Sequence, residues 1–105
     1  MTYKLIIFVP KTYLNKVREA ICAAGAGKIR NYDFCTFATE GIGTYRPLKG
    51  ARPYKGKINK VEKVKEYKLE AIVPKKLLKK VVAAMRAAHP YEEPAYDVFP
   101  LAPIS

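Results

Sequence analysis

The only histidine of the chain opens the segment HPYEEP, in which two carboxylates follow it closely. His89 precedes Glu92 and Glu93 by three and four positions. An imidazole combined with carboxylates suits zinc, copper or nickel, although two or three ligands leave the coordination shell incomplete. The metal hypothesis therefore has His89, Glu92 and Glu93 as ligands, a divalent transition metal as cofactor, and further ligands from another subunit.

A structural interpretation of the same segment competes with the metal hypothesis, and the sequence favours it. Pro90 removes a backbone donor and should end a helix, so that His89 lies at the last turn, where an imidazolium would complement the helix dipole. Tyr91 would then pack as a partly buried anchor, and Pro94 would direct the chain into a final strand. Glu92 and Glu93, as neighbours in an extended segment, should point to opposite sides, which argues against paired-carboxylate catalysis.

The glycine-rich stretch 40–57 supplies a second group of candidate residues. Residues 40–44, EGIGT, could present successive backbone N–H groups to an anion, but they lack the spacing of a dinucleotide fingerprint and the GKS or GKT of a P-loop. Five basic residues then interleave with Tyr45 and Tyr54, a pattern that could bind phosphates and stack a base. A flexible turn and a solvated basic loop are the alternatives. The basic residues are Arg46, Lys49, Arg52, Lys55 and Lys57.

No residue of the chain is predicted to be catalytic. The only serine is Ser105, and neither Cys22 nor Cys35 is close to His89 in the sequence. The two cysteines fit no metal spacing and are too few for a disulfide framework, so we expect reduced thiols without a role in chemistry. The sequence therefore predicts a protein that is not an enzyme.

Composition sets wide limits on the class of protein. The 105 residues, half of them hydrophobic, suit one folded domain, 1–105, and the formal net charge of +11 suits nucleic acid, a membrane surface or an anionic small molecule. The lysines are spread along the chain, so charge alone decides little. The first apolar run has only five residues, without a signal-peptide layout, and no segment approaches bilayer-spanning length. We expect a cytoplasmic protein without a membrane partner.

An internal repeat organises the sequence. At an offset of 64 positions, residues 3–24 align with residues 67–88, with 12 of 22 positions identical. Each copy begins with a strand-like apolar stretch, meets Pro10 or Pro74, and then changes to helical spacing. Apolar stripes follow on both helices, at Leu14, Val17, Ile21 and Ala24 and at Leu78, Val81, Met85 and Ala88.

The repeat predicts two βαβ units. Strands are expected near 3–9, 30–39, 61–73 and 95–101, helices near 11–24 and 75–88, and a long loop over 40–60. Two such units interleave most simply as an α+β, ferredoxin-like βαββαβ sandwich, with an antiparallel four-stranded sheet and both helices on one face. In the first strand Ile6 and Phe8 point away from the helices, so the second face should be buried by oligomerisation.

The segments 25–57, GAGKIRNYDFCTFATEGIGTYRPLKGARPYKGK, and 87–101, AAHPYEEPAYDVFPL, carry a family resemblance. With the repeat, they make the chain resemble, along essentially its whole length, the PII/CutA-like module of the YqfO-type, or Nif-three-like, proteins, a module also encoded as a free-standing small protein. CutA-like proteins have a similar His-Pro-Tyr segment with a following carboxylate and proline. CutA and PII proteins are ferredoxin-like trimers, so the resemblance implies a trimer.

The resemblance implies a non-enzymatic, oligomeric module that binds a small ligand or a divalent metal at subunit interfaces in a regulatory or sensing role. The larger YqfO-type proteins hold two metals on a flanking core that this chain lacks, so hydrolase activity is not implied. Nucleic-acid binding by the basic loop 45–57, and service as an accessory domain of a separately encoded metal-dependent hydrolase, are the alternatives. The ligand-binding candidates are Glu40, Gly41, Gly43, Thr44, Arg46 and Tyr91.

Overall fold

The computed structural model describes residues 1–103, so the last two residues of the predicted domain 1–105 lie outside it. Four strands and two helices alternate in the order βαββαβ, as the repeat predicts. They are β1 Thr2–Pro10, α1 Leu14–Ala23, β2 Thr36–Tyr45, β3 Glu62–Pro74, α2 Leu78–Ala88 and β4 Tyr96–Pro100.

The strands form one antiparallel sheet in the order β2-β3-β1-β4. The two strands that begin the repeats, β1 and β3, lie side by side in the centre, where Leu5 pairs with Ala71 and Ile7 with Leu69. The strands that end the two βαβ units form the edges of the sheet. This is the predicted ferredoxin-like sandwich, an α+β fold.

The two copies of the repeat fold alike in detail. Pro10 and Pro74 both end a strand with an extended backbone, at φ −64° and −69°. A 3-10 turn follows each proline, at Lys11–Tyr13 and Lys75–Leu77, before the α-helix starts. The predicted helices therefore begin with a 3-10 turn, since proline supplies the fixed φ of a first turn but no N–H donor.

The core lies between the two helices and one face of the sheet. Leu5, Ile7 and Val9 of β1 point into it, because side chains alternate along a strand. The predicted helical stripes face the same core, with Leu14 and Leu78 at its margin. The buried residues of these stripes are Val17, Ile21 and Ala24, the residue after α1, and Val81, Met85 and Ala88.

The second strand lies six residues later than predicted, at Thr36–Tyr45 instead of 30–39. Residues 27–35 form a compact turn, in which Ile29 and Tyr32 make an isolated bridge and Arg30 and Phe34 have positive φ. The EGIGT stretch, interpreted as a turn, belongs to the strand because it pairs continuously with β3. Pairing with a neighbour overrides the low strand propensity of glycine.

The β2–β3 hairpin projects beyond the rest of the sheet, because β1 ends where Pro10 pairs with Glu66. We call residues 42–65 the arm; it contains the loop 46–61, which is what remains of the predicted loop 40–60. Four apolar side chains of the arm are each at least 40% exposed, namely Ile42, Leu48, Ile58 and Val61. Within residues 1–103, no helix has the length and apolar character needed to cross a membrane.

The helix-free face of the sheet differs from the prediction that Ile6 and Phe8 form its exposed apolar patch. Ile6 is only 9% exposed in the single chain, and Phe8 is half-buried. The outer strands carry the exposed rings instead, with Phe37 of β2 68% exposed and Phe99 of β4 50% exposed. The side chains of neighbouring strands shield a central strand, whereas those of edge strands remain open to solvent.

Candidate functional site

A cavity of about 250 Å³ lies at the end of the sheet where β1 finishes and β3 begins. Its walls come from Phe8 of β1, Glu66 of β3, the end of β2, the loop 46–61 and the turn 89–95. The remaining lining residues are Thr44, Tyr45, Arg46, Pro47, Ala51, Pro53, Tyr54, Tyr91, Glu92, Glu93 and Ala95. The two segments singled out in the sequence, the glycine-rich stretch and HPYEEP, therefore meet at one place.

His89 forms the base of the turn 89–95. Helix α2 ends at Ala88, and the buried His89 ring places Nε2 2.8 Å from the carbonyl oxygen of Phe8. The backbone N–H of Tyr91 donates to Nδ1 at 3.2 Å. With a carbonyl on one side and an N–H on the other, the ring is the neutral tautomer that carries its proton on Nε2. It fastens the turn to β1.

Burial lowers the pKa of His89 below the ordinary histidine value, although the bond to Phe8 and the charge of Glu66 act in the opposite direction. The helix-end interpretation of His89 is thus supported in its position but not in its charge. The ring acts as a neutral hydrogen-bonding group, not as an imidazolium that complements the helix dipole.

Tyr91 is the centre of an aromatic cluster that joins the turn to the arm. Its ring centroid lies 5.0 Å from His89, 5.9 Å from Tyr45 and 6.0 Å from Tyr54. Tyr54 also meets Tyr13, after β1, edge to face at 6.0 Å. These ring contacts hold the loop 46–61 in position against the turn 89–95 and the segment that follows β1.

The hydroxyl of Tyr91 is buried and makes no hydrogen bond of good geometry within residues 1–103, although the Glu66 carboxylate lies close to it. Burial raises the pKa of Tyr91 far above its usual range, and the neighbouring Glu66 carboxylate raises it further. Burial also raises the pKa of Tyr45, whose hydroxyl donates to the carbonyl of Lys55. Both tyrosines are neutral at physiological pH, and Tyr91 keeps its hydrogen-bonding capacity for another group.

Glu66 is a wall of the cavity because Gly43 leaves room for it. A Cβ built on Gly43 would overlap the Glu66 carboxylate, whereas one built on Gly41 would meet nothing within 4 Å. Neither glycine has a left-handed backbone, so the requirement at position 43 is for space and not for conformational freedom.

Glu92 and Glu93 line the same cavity, contrary to the expectation that they point to opposite sides. Residues 90–93 bend and are not extended, so the alternation of a strand does not apply. The Glu92 Oε1 atom accepts a hydrogen bond from the backbone N–H of Arg52 at 2.8 Å. The turn 89–95 thus holds the arm through a carboxylate as well as through Tyr91.

The predicted ligand residues divide between two adjacent cavities. Thr44, Arg46 and Tyr91 line the first. Glu40, Gly41 and Gly43 line a second cavity of about 280 Å³, which shares Phe8 and Glu66 with the first. Because residues 40–44 form part of a strand, their N–H groups are not arranged as an anion-binding loop. The side chains of Arg52, Lys55 and Lys57 remain exposed.

Within residues 1–103, no group of three His, Cys, Asp or Glu side chains is arranged to hold a metal ion. His89 would have to release one of its two hydrogen bonds to coordinate a metal. The chemistry of His89, Glu92 and Glu93 therefore fits a metal poorly in a single chain. The metal hypothesis stays a prediction.

Sequence reasoning missed Glu66 and Phe8. Glu66 lies in the alternating stretch VEKVKEYKLE, where a charged residue reads as solvent-facing. Its role becomes visible only when the strand register places Gly43 beside it. Phe8 was assigned to an oligomer interface, but it also forms the wall shared by the two cavities.

The sheet order, the paired βα repeats and the projecting arm define a ferredoxin-like domain of the PII/CutA type. Among solved structures, CutA from Archaeoglobus fulgidus, described as a periplasmic divalent cation tolerance protein, superposes with a TM-score of 0.72 at 14% identity. The match covers all of this chain and 88% of that one. At this identity the likeness concerns the fold.

Sequence comparison gives the nearer relatives. A GTP cyclohydrolase 1 type 2 homolog from Halalkalibacterium halodurans is 54% identical over 100 residues, which are 95% of this chain and 27% of that protein. The crystal structure of a Bacillus cereus protein related to NIF3 matches with a TM-score of 0.83 and 47% identity, over 95% of this chain and 25% of that one. No family model matches. The resemblance to the PII/CutA-like module of the Nif-three-like proteins is confirmed, and the chain spans about a quarter of these relatives.

Proposed function

We propose that this chain is a non-enzymatic, oligomeric module of the PII/CutA type that binds a small ligand in a regulatory or sensing role. One observation carries the proposal: the loop 46–61 and the turn 89–95 converge on a single cavity. A minimal βαββαβ sandwich needs neither elaboration. Because the loop 46–61 and the turn 89–95 are additions to the basic fold and line one cavity, they support a binding site there.

The chemistry of the cavity supports binding over catalysis. Its lining contains no cysteine, serine or lysine, and its other potential nucleophiles, the Thr44 hydroxyl and the carboxylates, have no histidine beside them in the lining. Both nitrogens of His89 are engaged by the backbone, so the ring lacks a free position for proton transfer. The name GTP cyclohydrolase 1 type 2 homolog belongs to relatives about three and a half times as long as this chain. The alternative to an independent regulatory role is that the chain serves as the accessory domain of a separately encoded metal-dependent hydrolase.

Self-association is supported by exposed apolar surface on two connected parts of the molecule. Phe37 and Phe99 lie exposed on the helix-free face, and the arm adds exposed Ile42 and Val61. A chain of 105 residues has a small core, and burial of such surface against other copies would stabilise it. The resemblance to PII and CutA proteins makes a trimer the expected closed assembly.

Two further ligands remain open to test. A divalent metal at His89, Glu92 and Glu93 would need a ligand from a neighbouring subunit and the loss of a His89 hydrogen bond. Zinc calorimetry with wild type and His89→Ala decides this, since equal binding by both removes the histidine from the site. Nucleic-acid binding by the loop 45–57 predicts affinity that falls steeply with salt.

Multi-angle light scattering at micromolar concentration tests the assembly. We expect a closed oligomer for wild type and dissociation for Phe37→Asp, which places a charge on the proposed interface. Tyr32→Asp is the matched control, because Tyr32 is 73% exposed and lies on the turn after α1, where it lines a cavity with Cys22 and Gly25 at the end of that helix. A monomeric wild type, or equal behaviour of the two variants, would contradict the proposal.

A further inference from the structure

We propose that the cavity between the arm and the turn 89–95 takes a small organic cation that carries an ammonium or guanidinium group. The inference rests on the proposed function, because it names the ligand class of the same cavity. It reverses the expectation that the glycine-rich and basic stretch binds an anion. The carboxylates of Glu66 and Glu93 and the rings of Tyr45, Tyr54 and Tyr91 would hold the ligand.

Charge inside the cavity is opposite to that of the chain. The chain has 20 basic and nine acidic residues, yet the cavity is lined by three carboxylates and one guanidinium, that of Arg46. Glu92 accepts the Arg52 N–H, whereas Glu66 and Glu93 have no ion-pair partner within residues 1–103. A phosphate would meet like charges here, and a cation would find two carboxylates free to pair.

Aromatic rings form much of the remaining wall. Tyr45 and Tyr54 lie about the Tyr91 ring, with centroid separations of 5.9 and 6.0 Å. The π-face of tyrosine attracts a cation within about 6 Å, and the attraction grows when water is excluded. Carboxylates combined with aromatic rings therefore suit an organic cation better than an isolated metal ion, which requires a complete set of ligand atoms.

The Tyr91 hydroxyl supplies an independent indication of a ligand. It is buried, makes no hydrogen bond of good geometry within residues 1–103, and lies close to the Glu66 carboxylate, which lines the same cavity. A neutral hydroxyl can accept a hydrogen bond from an N–H donor, which ammonium and guanidinium groups carry in abundance. Binding such a donor would satisfy an otherwise unpaired buried oxygen.

The size of the cavity limits the ligand to a small molecule. At about 250 Å³ it is below the roughly 300–1,000 Å³ of sites that enclose drug-sized ligands. Tyr54 and Glu93 are exposed, so that the cavity opens to solvent beside them. An amine or guanidine with a short aliphatic chain fits these limits.

Titration calorimetry of the full chain tests the inference, with agmatine as the cationic probe and inorganic phosphate and zinc as rivals. We expect agmatine to bind, and Glu66→Gln to weaken its binding by about tenfold or more. Glu70→Gln is the matched control, since Glu70 lies on the same strand and face but pairs with Lys4 outside the cavity. It should leave binding unchanged. If Glu66→Gln fails to fold, Glu93→Gln replaces it, because Glu93 is exposed.

Binding of phosphate or zinc in place of agmatine, no binding of agmatine, or equal weakening in the target and control variants would each overturn the ligand class. Light scattering on the same samples separates the two proposals. An oligomer that does not bind agmatine contradicts only the proposed ligand class. A monomer contradicts the proposed assembly.

Discussion

The carboxylate of Glu92 accepts a hydrogen bond from the backbone N–H of Arg52, which lies 40 residues earlier in the chain, at 2.8 Å. This bond joins the turn 89–95, which follows α2, to the loop 46–61 of the arm. It couples the two walls of the cavity, so removing it should loosen the arm without disturbing the core.

Glu92→Ala should therefore increase hydrogen exchange at the Arg52 amide. An exposed hydrogen bond contributes about 1 kcal/mol, so exchange should accelerate by about fivefold. Glu93→Ala is the control, because Glu93 borders the same cavity but makes no described hydrogen bond to the loop. Equal exchange in the two variants would mean that the Glu92 bond does not hold the arm.

Tyr91→Phe should separate stability from ligand binding. The change removes a buried hydroxyl that makes no hydrogen bond of good geometry within residues 1–103, so the free energy of unfolding should stay level or rise by about 1 kcal/mol. Agmatine binding should weaken. Tyr45→Phe provides the contrast, since its hydroxyl donates to Lys55 and its loss should lower stability. A large loss of stability in Tyr91→Phe would show that its hydroxyl has a structural partner.

Gly43→Ala should disturb the cavity through Glu66. The new Cβ would displace the Glu66 carboxylate, a flexible group, so ligand affinity should fall by about tenfold while the strand remains intact. Gly41→Ala lies two positions away on β2, where the added methyl group has open space. That variant should bind normally and be as stable as wild type or slightly more so. Calorimetry and thermal unfolding measure both properties.

Stability should decrease on mild acidification because of His89. Its folded-state pKa lies below the ordinary value of 6.5, so the unfolded chain takes up a proton at higher pH than the folded one. The stabilisation by the neutral ring is fully present above the unfolded-state pKa of about 6.5. It is lost as the pH falls from there through the lower folded-state pKa. The slope approaches at most about 1.4 kcal/mol per pH unit.

Urea unfolding between pH 5.5 and 8 measures this dependence. His89 is the only histidine, so His89→Gln should have a nearly flat profile over the same range. A wild-type protein whose stability stays constant or rises on acidification would contradict a neutral, buried His89.

The repeat made most of the fold predictable. Two copies of a strand, a proline and an amphipathic stripe admit few arrangements, and β1, β3 and both helices agree with prediction to within about three residues at each end. The misplaced β2 shows where local reasoning fails. Glycines such as Gly41 and Gly43 are typical of turns, yet pairing with β3 makes these two strand residues.

The candidate site was predictable only in outline. The sequence drew attention to the segments that contain Arg46, Tyr91 and Glu92, and these segments do meet. The acidic character of the site could be read from them only in part, because Glu66 comes from a third segment, in which its charge resembles that of any solvent-facing strand residue. The register that sets Gly43 near Glu66 adds a third carboxylate to Glu92 and Glu93 in the cavity lining.

Native mass spectrometry of the purified protein tests the central claim most directly, since it counts subunits and weighs retained small molecules in one measurement. We expect a closed oligomer, a trimer by resemblance, that retains added agmatine as wild type and as Gly41→Ala but not as Gly43→Ala. A monomer, or an oligomer that retains agmatine equally in all three forms, would contradict the claim of an oligomeric module that binds its ligand in the cavity between the arm and the turn 89–95.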